Sequence, residues 1–216
     1  ISPSTTRNKD GKSVINIQAL TDVEIVTINA TEFEKLMVED LEIREIIGLI
    51  NRELTEYQPE KVVLLDLHTT TAFGGIFTIV TDDAESLKIG LELHAPVIRG
   101  LLKGVKGTSL HYFNEENIGV PTVAVCFESG QHNEQLSINR AIAAITNCMR
   151  TIGCVQAEDV ENQHDKLLME FSVGLPKVSQ LIMTHAIGES DDFVMQPGYK
   201  NFQRVKQGEI VAKDRK

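Results

Sequence analysis

The chain has 216 residues, enough for one α/β domain with a small second domain. Hydrophobic residues make up 42% and charged residues 24%, a globular balance that argues against a disordered or fibrous chain. The formal net charge of -10 argues against nucleic acid and anionic membranes as partners, because both are bound through clusters of Lys and Arg.

The cysteines point to a reducing compartment. Cys126, Cys148 and Cys154 are an odd number, and none belongs to a C-x-x-C motif, so we expect a cytoplasmic protein. Cys126 and Cys148 lie in apolar patterns and are interpreted as core residues. No apolar run is long enough for a membrane span, and we expect no secretory leader, although a chain that begins with Ile1 leaves the native N-terminus open.

The first half of the chain predicts a helix and then a buried strand. Apolar residues recur at helical spacing from Thr31 to Tyr57, and Thr31 is a candidate helix cap. Pro59 ends this helix. Lys61 to Leu67 is a nearly continuous apolar run, which is typical of a central strand that is buried on both faces of a parallel sheet.

The middle of the chain continues the alternation of strands and helices. Ile76 to Thr81 predicts a strand, and Asp83 to Lys103 predicts a helix that is interrupted near Pro96. Val120 to Phe127 predicts another strand, and Gln135 to Ile152 predicts an amphipathic helix. This alternation indicates a layered α/β domain.

The pattern changes after the charged stretch Glu158 to Lys166. Alternating segments such as Val178 to Ile187 and several Gly and Pro turn signals follow. We therefore predict an α/β domain over residues 1–166 and a small β-rich domain over residues 167–216.

Polar side chains at two strand ends are the candidates for chemistry. Asp66 and His68 share one face if their strand continues, so that the carboxylate could orient the imidazole of a metal ligand. From spacing alone, a structural, hydrogen-bonded His68 is the favoured interpretation. Glu128 follows the second strand, where burial would raise its pKa and suit it to take a proton from water. A solvated strand end or a helix cap is an equally weighted interpretation of Glu128.

Three segments resemble the succinylglutamate desuccinylase/aspartoacylase family of the zinc carboxypeptidase superfamily. Asp66-Leu67-His68-Thr69-Thr70 is similar to the Asp-Leu-His-x-Thr signature of that family. The segment from Phe127 to His132 resembles the one that carries its general-base glutamate. The stretch from Asp192 to Glu209 resembles part of its C-terminal β domain. The resemblance extends from about Asn16 to the end of the chain.

The resemblance implies a zinc-carboxypeptidase-like fold, with a mixed central sheet flanked by helices. It also implies zinc-dependent hydrolysis of the amide bond of an N-acyl amino acid, a small-molecule substrate. In this scheme His68 binds the one zinc ion, Asp66 orients His68, and Glu128 is the general base. The candidates for binding the substrate, chosen by position, are Thr69, Thr70, Gln131 and His132. The alternatives are a carboxypeptidase-like zinc peptidase and a metal-free binding or regulatory protein, and a homo-oligomer is compatible with all three.

Two motifs of that family are missing from these 216 residues. They are Gly-x-His-Gly-x-Glu, which supplies the other two zinc ligands, and Asp-Leu-Asn-Arg, whose arginine binds the substrate carboxylate. The stretch from Asn16 to Leu20 resembles a family segment that lies between these motifs. We therefore predict that native segments are omitted near Ile15/Asn16 and Leu20/Thr21.

Overall fold

The computed structural model describes residues 3–7, 12–18, 23–29, 41–72, 74–103, 108–185, 187–188 and 190–214. The chain is divided into two compact units. One unit holds Ile1–Leu64 and Leu102–Val123, and the other holds Leu65–Leu101 and Ala124–Lys216. Among the described residues, no helix is both long enough and apolar enough to cross a membrane.

The strands of the described ranges are β1 (Pro3–Arg7), β2 (Lys12–Gln18), β3 (Val23–Asn29), β4 (Val62–Thr70), β5 (Phe77–Val80), β6 (Val97–Arg99), β7 (Thr122–Gln131), β8 (Val178–Gln180), β9 (Val194–Met195) and β10 (Ala212–Lys213). The α-helices are α1 (Leu41–Tyr57), α2 (Ala84–Glu92), α3 (Ser109–Tyr112), α4 (Glu115–Ile118), α5 (Leu136–Thr151) and α6 (Asp165–Phe171). A 3₁₀ turn spans Leu101–Lys103.

The N-terminal part of the first unit forms an antiparallel three-stranded sheet in the order β1-β2-β3. Helix α1 confirms the predicted helix over its second part, whereas residues 31–40, including the candidate cap Thr31, lie outside the described residues. The proposed junction Ile15/Asn16 falls within β2, and Leu20/Thr21 lies outside the described residues. The omission of native segments stays a prediction.

A mixed five-stranded sheet in the order β4-β7-β5-β6-β8 confirms the predicted α/β class. Strand β7 is antiparallel to β5, and β6 is parallel to both β5 and β8. Strand β4 runs parallel to β7. Val62 N donates to Pro121 O at the N-terminal ends of the two strands, and His132 N donates to Thr70 O at their C-terminal ends. The C-terminal ends of β4 and β7 therefore lie next to each other at the same edge of the sheet.

Burial differs between β7 and β4. Residues Val123 to Phe127 of β7 are all buried, which explains why this strand reads as an unbroken apolar run. Strand β4 is only half-buried throughout and stands at one end of the described strand order. The prediction of a central position for β4 is therefore wrong for the described sheet. Helix α2 packs against β5 and β6 and against α5, which in turn packs against α6.

The predicted helix from Asp83 to Lys103 is wrong in its second half. Helix α2 ends at Glu92, and His94 has a φ of 57°, a left-handed conformation that helix ends often adopt. Pro96 cannot donate to a helix, and its carbonyl instead accepts Thr78 N of β5. The following Val97 is fully buried in β6 rather than in a helix.

The C-terminal region contains only short strands among its described residues. Helix α6 spans the predicted boundary at 166/167 and ends at Phe171. Strand β8 joins the central sheet, and β9 pairs with β10 in an antiparallel ladder. These elements do not decide whether residues 167–216 form a separate domain, which stays a prediction.

Replacing Asp83 with Ala is expected to destabilise the fold by about 1 kcal/mol, because Asp83 caps α2 by accepting hydrogen bonds from Glu85 N and Ser86 N. Burial, the largest single influence, raises the pKa of this carboxyl, but hydrogen bonds from Thr81, Ser86 and Glu85 together bring it below the ordinary value. The contribution of the cap is therefore present above the ordinary Asp pKa and is lost as the pH falls through the lower folded value.

Urea unfolding of D83A and of the unchanged protein at pH 7 and at pH 2.5 to 3 (about one unit below the ordinary Asp pKa) measures this contribution. Lys88→Ala, on the exposed side of α2, is the matched control. A stability difference that does not shrink at low pH would contradict the role of the ionised cap.

Candidate functional site

Asp66 and His68 project from the same face of β4. The strand continues to Thr70, so residues two apart share a face, and His68 Nε2 lies 2.9 Å from Asp66 Oδ1. This hydrogen bond raises the pKa of the His68 imidazole, the charges of Asp66 and Glu128 add to the effect, and burial opposes it. The predicted contact between the two side chains is present, and the role of Asp66 in orienting a metal ligand stays a prediction.

Glu128 lies within β7 rather than after a strand. The strand extends to Gln131, and α5 begins only at Leu136, so Glu128 is neither a loop residue nor a cap of that helix. Burial raises the pKa of its carboxyl to about 6, the charge of His68 lowers it, and the charge of Asp66 raises it. The predicted effect of burial on this pKa is confirmed.

The Glu128 carboxyl also has an unused acceptor. Its Oε2 is buried and finds no hydrogen-bond partner among the described residues. A buried carboxyl oxygen without a partner is costly, and a catalytic role or a bound water or ion is a usual reason for such a group. With a pKa near 6, this carboxyl can exchange a proton with water close to neutral pH.

Cys126 is the site residue that the sequence interpretation missed. It is buried, as predicted, and it stands two residues before Glu128 on β7, so both side chains face the same side of the sheet. That spacing was the available signal. Ligand atoms of Asp66, His68 and Cys126 all lie within 4.8 Å of one another, close enough to share one metal ion.

The donors of this set are a carboxylate oxygen, an imidazole nitrogen and a sulfur. Such a mixed set suits zinc, whereas magnesium and calcium prefer oxygen alone. Burial raises the pKa of the Cys126 thiol well above its ordinary value, and the charges of Glu128 and Asp66 add to the effect. The thiol therefore carries its proton at neutral pH, and a metal ion would have to displace it.

Hydrogen bonds join β4 to β7 beside these residues. Ser129 Oγ donates to the main-chain oxygen of His68 at 3.0 Å. Two residues further along β4, His132 N donates to Thr70 O at 3.1 Å. These two hydrogen bonds join β4 and β7 at the level of His68 and Glu128.

The four residues predicted to bind substrate occupy different positions. Thr70 shares the face of His68, and its Oγ1 accepts Ala72 N at 3.3 Å. Thr69 faces the other way, and its Oγ1 lies 2.7 Å from His132 Nδ1.

Gln131 completes this set at the end of β7. Its Oε1 accepts Asn133 N at 2.9 Å, which fixes the side chain against the turn after the strand. By strand alternation, Thr70 is the member of the set that lies on the face of the candidate metal ligands.

Comparisons of the chain with family models, with curated proteins and with solved structures found no match.

Proposed function

We propose that this protein is a zinc-dependent hydrolase that cleaves the amide bond of an N-acyl amino acid. The observation that carries the proposal is the pair of parallel strands β4 and β7: β4 carries His68, and β7 carries Glu128, whose carboxyl feels the charge of His68 and whose buried Oε2 has no hydrogen-bond partner among the described residues. The resemblance of both strand segments to the succinylglutamate desuccinylase/aspartoacylase family supports the same reaction.

Zinc fits the donors that are present. His68, Asp66 and Cys126 offer three ligands, the usual number of protein ligands in a catalytic zinc site. In the family that the motifs resemble, His68 alone of these three would bind, and two further ligands would come from a motif that is missing from this chain. A bound zinc ion would supply positive charge that polarises a water molecule and the scissile carbonyl.

Glu128 supplies the acid–base chemistry in this proposal. Its ionised carboxylate removes a proton from water as the water oxygen forms a bond to the acyl carbon. The same carboxyl then returns that proton to the amide nitrogen as the carbon–nitrogen bond breaks. The products are a carboxylic acid and a free amino acid, and Glu128 ends the cycle as it began.

The side chains around this pair would bind the rest of the substrate. Thr70 is the first candidate, because it shares the face of His68. Thr69, Gln131 and His132 lie at the ends of the same two strands and remain candidates by position alone.

Metal analysis combined with a substrate panel tests the proposal. The protein is dialysed against zinc and then freed of excess metal, and its zinc content and release of free amine from N-acyl amino acids and from short peptides are measured. Stoichiometric zinc with cleavage of N-acyl amino acids is the expected result. Cleavage of peptides alone would favour the carboxypeptidase-like alternative, and a metal-free, inactive protein would favour a binding or regulatory role.

A further inference from the structure

A buried arginine lies behind the end of β7. Arg140 of α5 is fully buried, and its Nη1 and Nη2 donate to Glu134 Oε2 and Oε1, each at 2.8 Å. The Phe171 ring lies under the guanidinium, with its centroid 3.6 Å from Cζ. A buried charge is costly unless it is paired in good geometry, and here the bidentate pair and the ring fix the guanidinium in one place.

This ion pair is hydrogen-bonded to two residues of β7, on either side of Gly130. Arg140 Nη1 donates to Ser129 O at 3.2 Å, and Glu134 Oε2 accepts Gln131 N at 3.4 Å. Between them, Gly130 has a φ of 123°, and a Cβ at this position would lie 2.5 Å from Arg140 Nη1. Glycine therefore leaves the space that the guanidinium fills. We call Arg140, Glu134 and Gly130 the arginine clamp.

The arginine clamp is connected to both Glu128 and His68 through Ser129. Ser129, whose carbonyl it holds, directly follows Glu128 and donates its hydroxyl to the main chain of His68. The charges that shift the pKa of Glu128 are those of His68 and Asp66. Arg140 is connected to Glu128 through the main chain of β7, by its hydrogen bond to the carbonyl of Ser129.

We propose that Arg140 is a positioning residue that fixes the end of β7 and so sets the placement of Glu128 relative to His68. The catalytic consequence rests on the proposed hydrolase function. Because a displacement of about 1 Å can cost about a hundredfold in rate, loosening β7 lowers kcat and leaves KM nearly unchanged.

Arg140→Lys and Arg140→Met are compared with Arg150→Lys and Arg150→Met. Arg150 is the matched control, since it belongs to the same helix and also donates to a main-chain carbonyl, that of Ala157 at 3.1 Å. Lys keeps the charge of Arg140 but cannot reproduce its two-pronged contact. Arg140→Lys also serves as the test variant if Arg140→Met fails to fold.

Three measurements are made on each variant. Hydrogen exchange is followed at the amides of Gln131 and His132, NMR signals of the His68 imidazole are recorded, and kcat and KM are determined. We expect the Arg140 variants to exchange at least about tenfold faster at both amides, which corresponds to about 1.4 kcal/mol. We also expect shifted His68 signals and a fall in kcat of about 10- to 100-fold. The Arg150 variants should match the unchanged protein in all three.

Equal behaviour of the Arg140 and Arg150 variants overturns the proposal. Faster exchange with unchanged His68 signals and unchanged kcat also overturns it, because the clamp would then serve stability alone. The exchange and NMR measurements need neither metal nor turnover. If the unchanged protein hydrolyses no N-acyl amino acid, the hydrolase function fails, and these two measurements still decide whether Arg140 positions the site.

Discussion

Replacing Glu128 with Gln should leave zinc binding intact and lower kcat by about 10²- to 10⁴-fold, the usual contribution of a general acid or base. Gln has nearly the shape of Glu, so the packing of β7 is retained. Its amide cannot accept the proton of water, and it cannot return one to the departing amine. The measurements are the zinc content of the purified variant and kcat on the N-acyl amino acid that the unchanged protein cleaves best.

Glu92→Gln is the control for this variant. Glu92 lies at the exposed end of α2, and the same change of charge there should leave kcat unaltered. Full activity of Glu128→Gln would exclude Glu128 as the base. Loss of zinc together with activity would instead make Glu128 a metal ligand.

Replacing His68 with Ala should weaken zinc binding by more than about a hundredfold, since even residues that only orient a ligand contribute about 10- to 100-fold. Cys126→Ser tests the thiol separately. In the cobalt-loaded protein, a bound thiolate produces an intense sulfur-to-metal charge-transfer absorption, which we expect to disappear in this variant. Zinc affinity is measured by competition with a chelator, and the cobalt form by absorption spectroscopy.

Exposed residues of the same types serve as controls for these metal-binding measurements. His111→Ala and Cys154→Ser change an exposed imidazole and an exposed free thiol and should leave affinity and spectrum unaltered. If Cys126→Ser keeps the absorption band and the affinity, the thiol is not a ligand. If His68→Ala also keeps its affinity, the metal site itself is refuted.

The pairing of Asp66 with His68 could be predicted because it depends only on the period of a strand. Side chains two residues apart share a face whenever the strand continues, and the apolar run before Asp66 indicated a strand. The extension of β7 beyond Phe127 could not be predicted in this way. Ser129 and Gly130 are poor strand formers, and their place in the strand comes from pairing with neighbouring strands.

Short apolar segments were the main source of error in the fold. Val97–Arg99 is too brief for its periodicity to separate a strand from a helix, and only its pairing with β5 and β8 makes it a strand. The position of β4 at one end of the strand order depends equally on pairing between distant segments.

The positions of Arg140 and Cys126 also depend on contacts between distant segments, which the sequence alone does not predict. In the sequence, Arg140 is one polar residue of an amphipathic helix, and its burial follows from contacts with Glu134 and Phe171. Cys126 looks like an ordinary core residue, and its nearness to His68 follows from the pairing of β4 with β7. The spacing of Cys126 and Glu128 predicts only that they share a face, and neither the burial of Arg140 nor the nearness of Cys126 to His68 follows from a local pattern.

Glu128 belongs to β7, a strand that has a neighbouring strand on each side. Strand β4 flanks β7 on one side, and on the other Phe77 of β5 is its partner in the ladder. A carboxylate on a strand with two paired neighbours has little freedom to follow a poorly placed substrate, so under the proposed hydrolase function the discrimination between acyl groups would depend on residues outside the two strands. Under that function, evolutionary change of substrate preference is expected in residues 71–72, 74–76 and 132–135, next to the ends of the two strands, rather than in the strands themselves.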